Sequence, residues 1–176
     1  MAMLDEAAKL EKINKAYALA YEYEQKYGAC PQCVTAAIQE VFGIIDDETF
    51  KASYVLAGGG GLTTQGTCGA LAGALMAIGA KCGRDKANFD KGQYMDAYRY
   101  ARDIMNKFVA EYGSPICAEV QKKVFGRSFD LWNSKEFKAF EEAGGHKDKC
   151  PAVAGTAAKL AAELLVELEE KNVKHK

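Results

Sequence analysis

Apolar residues recur at helical spacing along most of this chain, and no run alternates convincingly with period two. That combination leaves little room for a sheet. Ile13, Tyr17, Ala20, Tyr23 or Glu24, and Tyr27 mark one face of a first helix from about Leu4 to Tyr27, which Gly28 ends. Pro31 stands where a first-turn proline belongs and opens a helix that carries Val34, Ala37, Ile38 and Val41 to Gly43. Asp46 or Asp47 caps a short helix ending near Ala57, and an Ala- and Gly-dense helix follows from Cys68 to about Ala80. Tyr94, Ala97, Tyr98, Ala101, Met105, Phe108 and Tyr112 predict a long fifth helix stopped by Gly113. A short helix follows Pro115, another runs from a Ser134 cap through Glu142, and the last begins at Pro151 with Val153, Ala157, Leu160, Leu164, Leu165 and Leu168 on one side. The expected fold is an all-α, single-domain bundle of about six to eight helices.

With 176 residues and no low-complexity linker, the chain reads as one domain over residues 1–176. Lys plus Arg number 23 against 24 for Asp plus Glu, a balance that argues against a nucleic-acid glove or a polybasic membrane anchor. The opening MAMLDEAAKLEK has no apolar core of an export signal, and no apolar run approaches a bilayer span. The expected location is the cytoplasm, and neither nucleic acid nor membrane is an expected partner.

Six cysteines in a reducing compartment are not expected to form a disulfide framework. Cys30 precedes Pro31, Cys68 follows Gly66-Thr67, Cys117 follows Ser114-Pro115, and Cys150 precedes Pro151. All four fall in the first turn of an expected helix, after a breaker. Free amides and the positive end of the helix dipole meet there, a setting that favours thiolate. Each alone is equally well read as a small buried hydrophobe. Four alike suggest helix ends converging on something thiolates ligate. Cys33, one turn after Cys30, completes a Cys30-Pro-Gln-Cys33 dithiol pattern, but without the strand that a thioredoxin-type motif follows. Cys82 lies at a C-terminal helix end, where thiolate is disfavoured, and reads as a packed or idle thiol.

The run Gly58–Gly61 first suggests a phosphate loop. From Gly58, however, the pattern is Gly-x-Gly-x-x-Thr, without the third glycine, and no Walker lysine follows. His146 is expected to be a solvated loop histidine rather than a ligand in place of a thiolate. Trp132 and the tyrosines are expected in the core or its rim. No Ser/His/Asp set and no carboxylate pair stand out, so the residues give no support to an independent enzymatic activity.

The stretches ACPQCVTAAIQEVFGI, GTCGALAGALMAIG, GSPICAEV and CPAVAGTAAKLAAELL together resemble the C_GCAxxG_C_C family of redox-active proteins, over about residues 28–170. That family is related to the N-terminal domain of split-Soret cytochrome c. Its cysteines fall on Cys30, Cys68, Cys117 and Cys150. Cys33 and Cys82 stand outside the pattern, and the absence of C-x-x-C-H means that covalent haem does not carry over. The resemblance implies an iron–sulfur site, a 2Fe–2S cluster, in a protein of anaerobic metabolism that passes electrons to an unidentified redox partner; a homodimer stays open. With such a cluster, Gly58, Gly59, Gly60 and Gly61 would bring bare backbone to it, and Gly69 and Gly73 would let a neighbouring helix come near. The competing readings are a structural zinc domain with four cysteine ligands and a thiol oxidoreductase acting through Cys30 and Cys33.

Overall fold

Eight α-helices follow one another in the computed structural model, which describes residues 5–171. They are α1 (Glu6–Tyr27), α2 (Cys30–Phe42), α3 (Asp47–Ser53), α4 (Gly69–Cys82), α5 (Met95–Tyr112), α6 (Cys117–Phe125), α7 (Ser134–Glu142) and α8 (Cys150–Glu170). Short 3-10 turns cover Tyr54–Leu56 and Lys86–Asn88, and a π-helical turn, Gly145–Lys149, runs directly into α8. Among the described residues there is no strand, only an isolated bridge between Thr67 and Ile116. The all-α reading holds. Leu4, the expected first residue of α1, lies outside the described residues.

Local chemistry accounts for most boundaries. Asp46 caps α3 by accepting the Thr49 amide at 2.8 Å. α7 is capped by Asn133, not by Ser134: the Asn133 carboxamide accepts from the Lys135 and Glu136 amides. Ser134 is instead the first helical residue, since the longer Asn side chain one position earlier reaches the same amides. Gly28, Gly43, Gly113 and Gly126 all adopt positive φ where their helices stop.

α1, α2, α4 and α8 form the core, and its inner faces are built largely of small residues. Ala16 and Ala20 of α1 meet a face of α8 that includes Ala154, Ala157, Ala158, Ala161 and Ala162, all fully buried. Gly155 leaves room for the Tyr17 ring, which a Cβ there would approach to 2.8 Å. Larger side chains, among them Ile38, Leu71, Ile78, Phe108 and Leu165, fill the remaining space. α1 and α8 run antiparallel, for Lys12 near the start of α1 pairs with Glu169 near the end of α8 at 2.7 Å. The start of α8, with Cys150, therefore lies beside the end of α1. That adjacency builds the site.

Candidate functional site

Four helix N-termini converge on one cavity. Cys30, Cys117 and Cys150 are the first residues of α2, α6 and α8, and Cys68 is the capping residue of α4. All four line a cavity of about 70 Å³, together with Glu24, Gly58, His146, Val153 and an aromatic wall that includes Phe125, Phe137 and Phe140. No lysine or arginine lines it among the described residues. The segments carrying Cys68 and Cys117 are zipped to each other. The Cys68 amide donates to Pro115 O at 2.7 Å, the Cys117 amide to Gly66 O at 2.9 Å, and the Ala118 amide to Thr64 O at 3.0 Å.

The glycine run winds left-handed. Gly58, Gly59, Gly60 and Gly61 have φ of +57°, +74°, +81° and +55°, followed by Leu62 at +59°. Four successive residues in that region explain four glycines. The loop uses its own amides: those of Gly60 and Gly61 donate to Leu56 O and Val55 O. Neither glycine lines the cavity, and a Cβ on either would meet nothing within 4 Å. The expectation that Gly60 and Gly61 carry bare backbone to a bound group is therefore corrected, because their donors are consumed inside the loop. Gly59 does belong to the packing of the site, since a Cβ there would come within 2.9 Å of Cys117 Cβ. Gly69 stands against Cys30 in the same way, at 2.5 Å from Sγ. It is Gly58 that lines the cavity, and its amide acts on the Cys30 thiol to favour the thiolate.

Burial outweighs the helix ends. It pushes the Cys68 thiol up to about 11, against the Ala70 and Leu71 amides, which act in the opposite direction. The Cys117 thiol rises to about 12, again through burial. Cys30 and Cys150 are raised well above the ordinary thiol value, by burial first and by the Glu24 charge second. With no lysine or arginine in the lining, burial favours the neutral thiol over the thiolate that the helix-start setting alone would give.

The other two cysteines are turned elsewhere. Cys33 is buried, donates its thiol proton to Gly28 O at 2.8 Å, and faces a separate cavity lined by Tyr23, Tyr27, Gln32 and Glu40. Cys30 and Cys33 thus address different cavities, and burial drives the Cys33 thiol strongly upward. A low-pKa dithiol pair is not assembled here. Cys82 donates to Ile78 O at 3.2 Å inside its own helix, as expected of a packed thiol.

Two site residues escaped the sequence pattern. His146 sits in the π-helical turn, and its Nδ1 is hydrogen-bonded to Glu141. Its ring stands edge-on to Phe140, with centroids 5.3 Å apart. The expected solvated histidine is instead part of the cavity wall, because Gln25 of α1 donates to Lys147 O at 2.5 Å and ties the turn down. Glu24 is 2% exposed, burial raises its carboxyl pKa, and its Oε2 has no hydrogen-bond partner among the described residues. The one signal for it in the sequence was a carboxylate at a position on the apolar period of α1.

The fold and the site define a class: a helical protein in which four cysteines from four helix starts line one cavity. A family model described as "Putative redox-active protein (C_GCAxxG_C_C)" matches residues 28–164. The chain belongs to this C_GCAxxG_C_C family. No curated protein and no solved structure matches it. Glu24 precedes the matched segment, whereas all four cavity cysteines and His146 lie within it. No helix among the described residues is long and apolar enough to cross a membrane.

Proposed function

We propose that Cys30, Cys68, Cys117 and Cys150 hold an iron–sulfur cluster of the 2Fe–2S type, and that the protein carries electrons to a redox partner. One observation carries this reading: four thiols from four separate helices line one cavity whose lining includes no lysine or arginine. An all-thiolate donor set fits iron–sulfur chemistry. A bound cluster supplies a one-electron couple at this position.

The chain's own residues do the rest. Burial favours the protonated form of all four thiols, so each gives up a proton when it becomes a ligand, and loading is favoured by rising pH. The Gly58, Ala70 and Leu71 amides, which already favour thiolate at Cys30 and Cys68, stabilise sulfur charge after loading. Phe125, Phe137 and Phe140 limit water on one side. Leu62, which lines the cavity, and Trp132, whose indole N–H donates to Gly61 O, are 37% and 74% exposed and offer a partner protein an apolar surface at the glycine loop.

Serine substitution tests the ligand set. Cys30→Ser, Cys68→Ser, Cys117→Ser and Cys150→Ser each lose or alter the visible spectrum of anaerobically purified protein. Cys33→Ser and Cys82→Ser keep it. A Cys33→Ser variant without iron beside a Cys117→Ser variant that retains it would overturn the assignment.

A further inference from the structure

We infer that Glu24 and His146 form a second metal-binding edge on the same cavity, a carboxylate–imidazole pair that takes a divalent cation beyond anything the four cysteines hold. Glu141 accepts a hydrogen bond from His146 Nδ1, which directs the ring's other nitrogen inward. Nε2 lies 3.8 Å from Glu24 Oε1, too far for a hydrogen bond. An imidazole nitrogen and a carboxylate oxygen thus face each other with nothing shared between them. Glu24 Oε2, on a side chain 2% exposed, makes no hydrogen bond among the described residues, and the Cys33 thiol beside the carboxyl group acts to favour its charged form.

Three physical arguments point to a cation there. Metal bonds to imidazole nitrogen and carboxylate oxygen are each about 2.0–2.2 Å, so an ion between donors 3.8 Å apart reaches both without moving either. A histidine that gives its outer N–H to a carboxylate has the orientation that metal-ligating histidines show, and Glu141 supplies that support. The charge argues the same way. A carboxyl group 2% exposed lies in a cavity with no lysine or arginine in its lining, and a buried carboxylate is ordinarily paired or bound to metal. The turn is also built to hold His146 in place: Gln25 fixes Lys147 O, the Phe140 ring meets the imidazole edge-on, and Gly28 lets Nε2 come within 3.4 Å of where a Cβ would stand. Among the described residues no third His, Cys, Asp or Glu joins these two closely enough to share an ion, so the remaining coordination positions are open to water or to an added ligand. Imidazole and carboxylate together suit zinc, iron or cobalt. This site adds to the four-cysteine reading and does not depend on the cluster's being 2Fe–2S.

Cobalt(II) is the probe. The full-length, metal-free chain is titrated anaerobically with CoCl2, followed by visible absorption and by bound-metal analysis after desalting. Wild type is expected to bind a thiolate-dependent equivalent, seen as an intense sulfur-to-metal band, and a separate equivalent without it. Glu24→Gln, of the same shape, and His146→Gln are each expected to weaken the second equivalent at least tenfold and leave the first band intact. Glu141→Gln, which keeps both donors, is expected to weaken it by about 10–100-fold. Circular dichroism checks that each variant is folded. Failure of wild type to bind a second equivalent, or undiminished binding in both folded Glu24→Gln and His146→Gln, overturns the inference. Loss of the thiolate band alone counts against the four-cysteine reading and leaves this one standing.

Discussion

A Cβ placed on Gly69 would lie 2.5 Å from Cys30 Sγ and 2.8 Å from Pro31 Cδ. The first turn of α4 is thus pressed against the first turn of α2, and the absent side chain sets the position of a cavity thiol. Alanine is the better helix former, by about 1 kcal/mol. A loss in Gly69→Ala therefore isolates the packing conflict. The expected outcome is a destabilisation of about 1–3 kcal/mol in chemical denaturation, with at least tenfold weaker metal retention. Wild-type retention together with raised stability would show that Cys30 is free to move aside.

The glycine run separates conformation from room. Gly60→Ala and Gly61→Ala meet open space and carry only the left-handed backbone penalty, about 1–2 kcal/mol. Gly59→Ala adds a collision with Cys117 Cβ at 2.9 Å and Gly66 O at 3.0 Å. It should be the most destabilised of the three and the only one whose visible spectrum changes. Equal spectra in all three would detach the loop from the site.

Much of this was legible before the structure. Helical period together with caps, prolines and glycines located all eight helices, and the breaker–cysteine pattern selected the four thiols that share a cavity. Both signals are local: a period, a proline, a glycine. Long-range packing accounts for what was missed. Glu24 read as a helix-period position because nothing near it in sequence shows that α8 begins beside it. His146 read as a loop residue because a π-helical turn has no strong local signature, and its placement depends on Gln25, 121 positions away. The thiol ionisation was misjudged for a related reason. The helix end is local and visible, whereas the desolvation that outweighs it comes from four helices closing together.

Ionisation of those thiols sets a pH dependence for the cofactor-free protein. Cys68 and Cys117 titrate near 11 and 12 in the folded chain, against 9.0 for an unperturbed thiol. Above about pH 9 the unfolded chain has released protons that the native state still holds, so stability falls as pH rises. The contribution is fully present below pH 9 and is lost as pH passes through about 11, at about 1.4 kcal/mol per unit for each thiol. Urea denaturation at pH 8 and pH 10 should show a clear loss, and Cys68→Ala should show a smaller one. A stability that does not change between the two would mean that the cavity is wetter than its burial indicates.

A core substitution distinguishes the scaffold from the site. Phe108 of α5 is fully buried, and its ring centroid lies 4.7 Å from that of Tyr112. Phe108→Ala should cost about 3–5 kcal/mol in thermal or chemical denaturation. Under conditions where the variant is still folded, its visible spectrum should match wild type, because Phe108 does not line the cysteine cavity. A changed spectrum in the folded variant would mean that the cavity geometry depends on α5 packing.

Metal and sulfide analysis of anaerobically purified protein, read with its visible spectrum, tests the central claim most directly. The account predicts about two iron and about two acid-labile sulfide per chain, with sulfur-to-iron absorption that bleaches on reduction and is lost with serine at Cys30, Cys68, Cys117 or Cys150. A colourless protein that holds zinc on those four cysteines, without iron or sulfide, would contradict it.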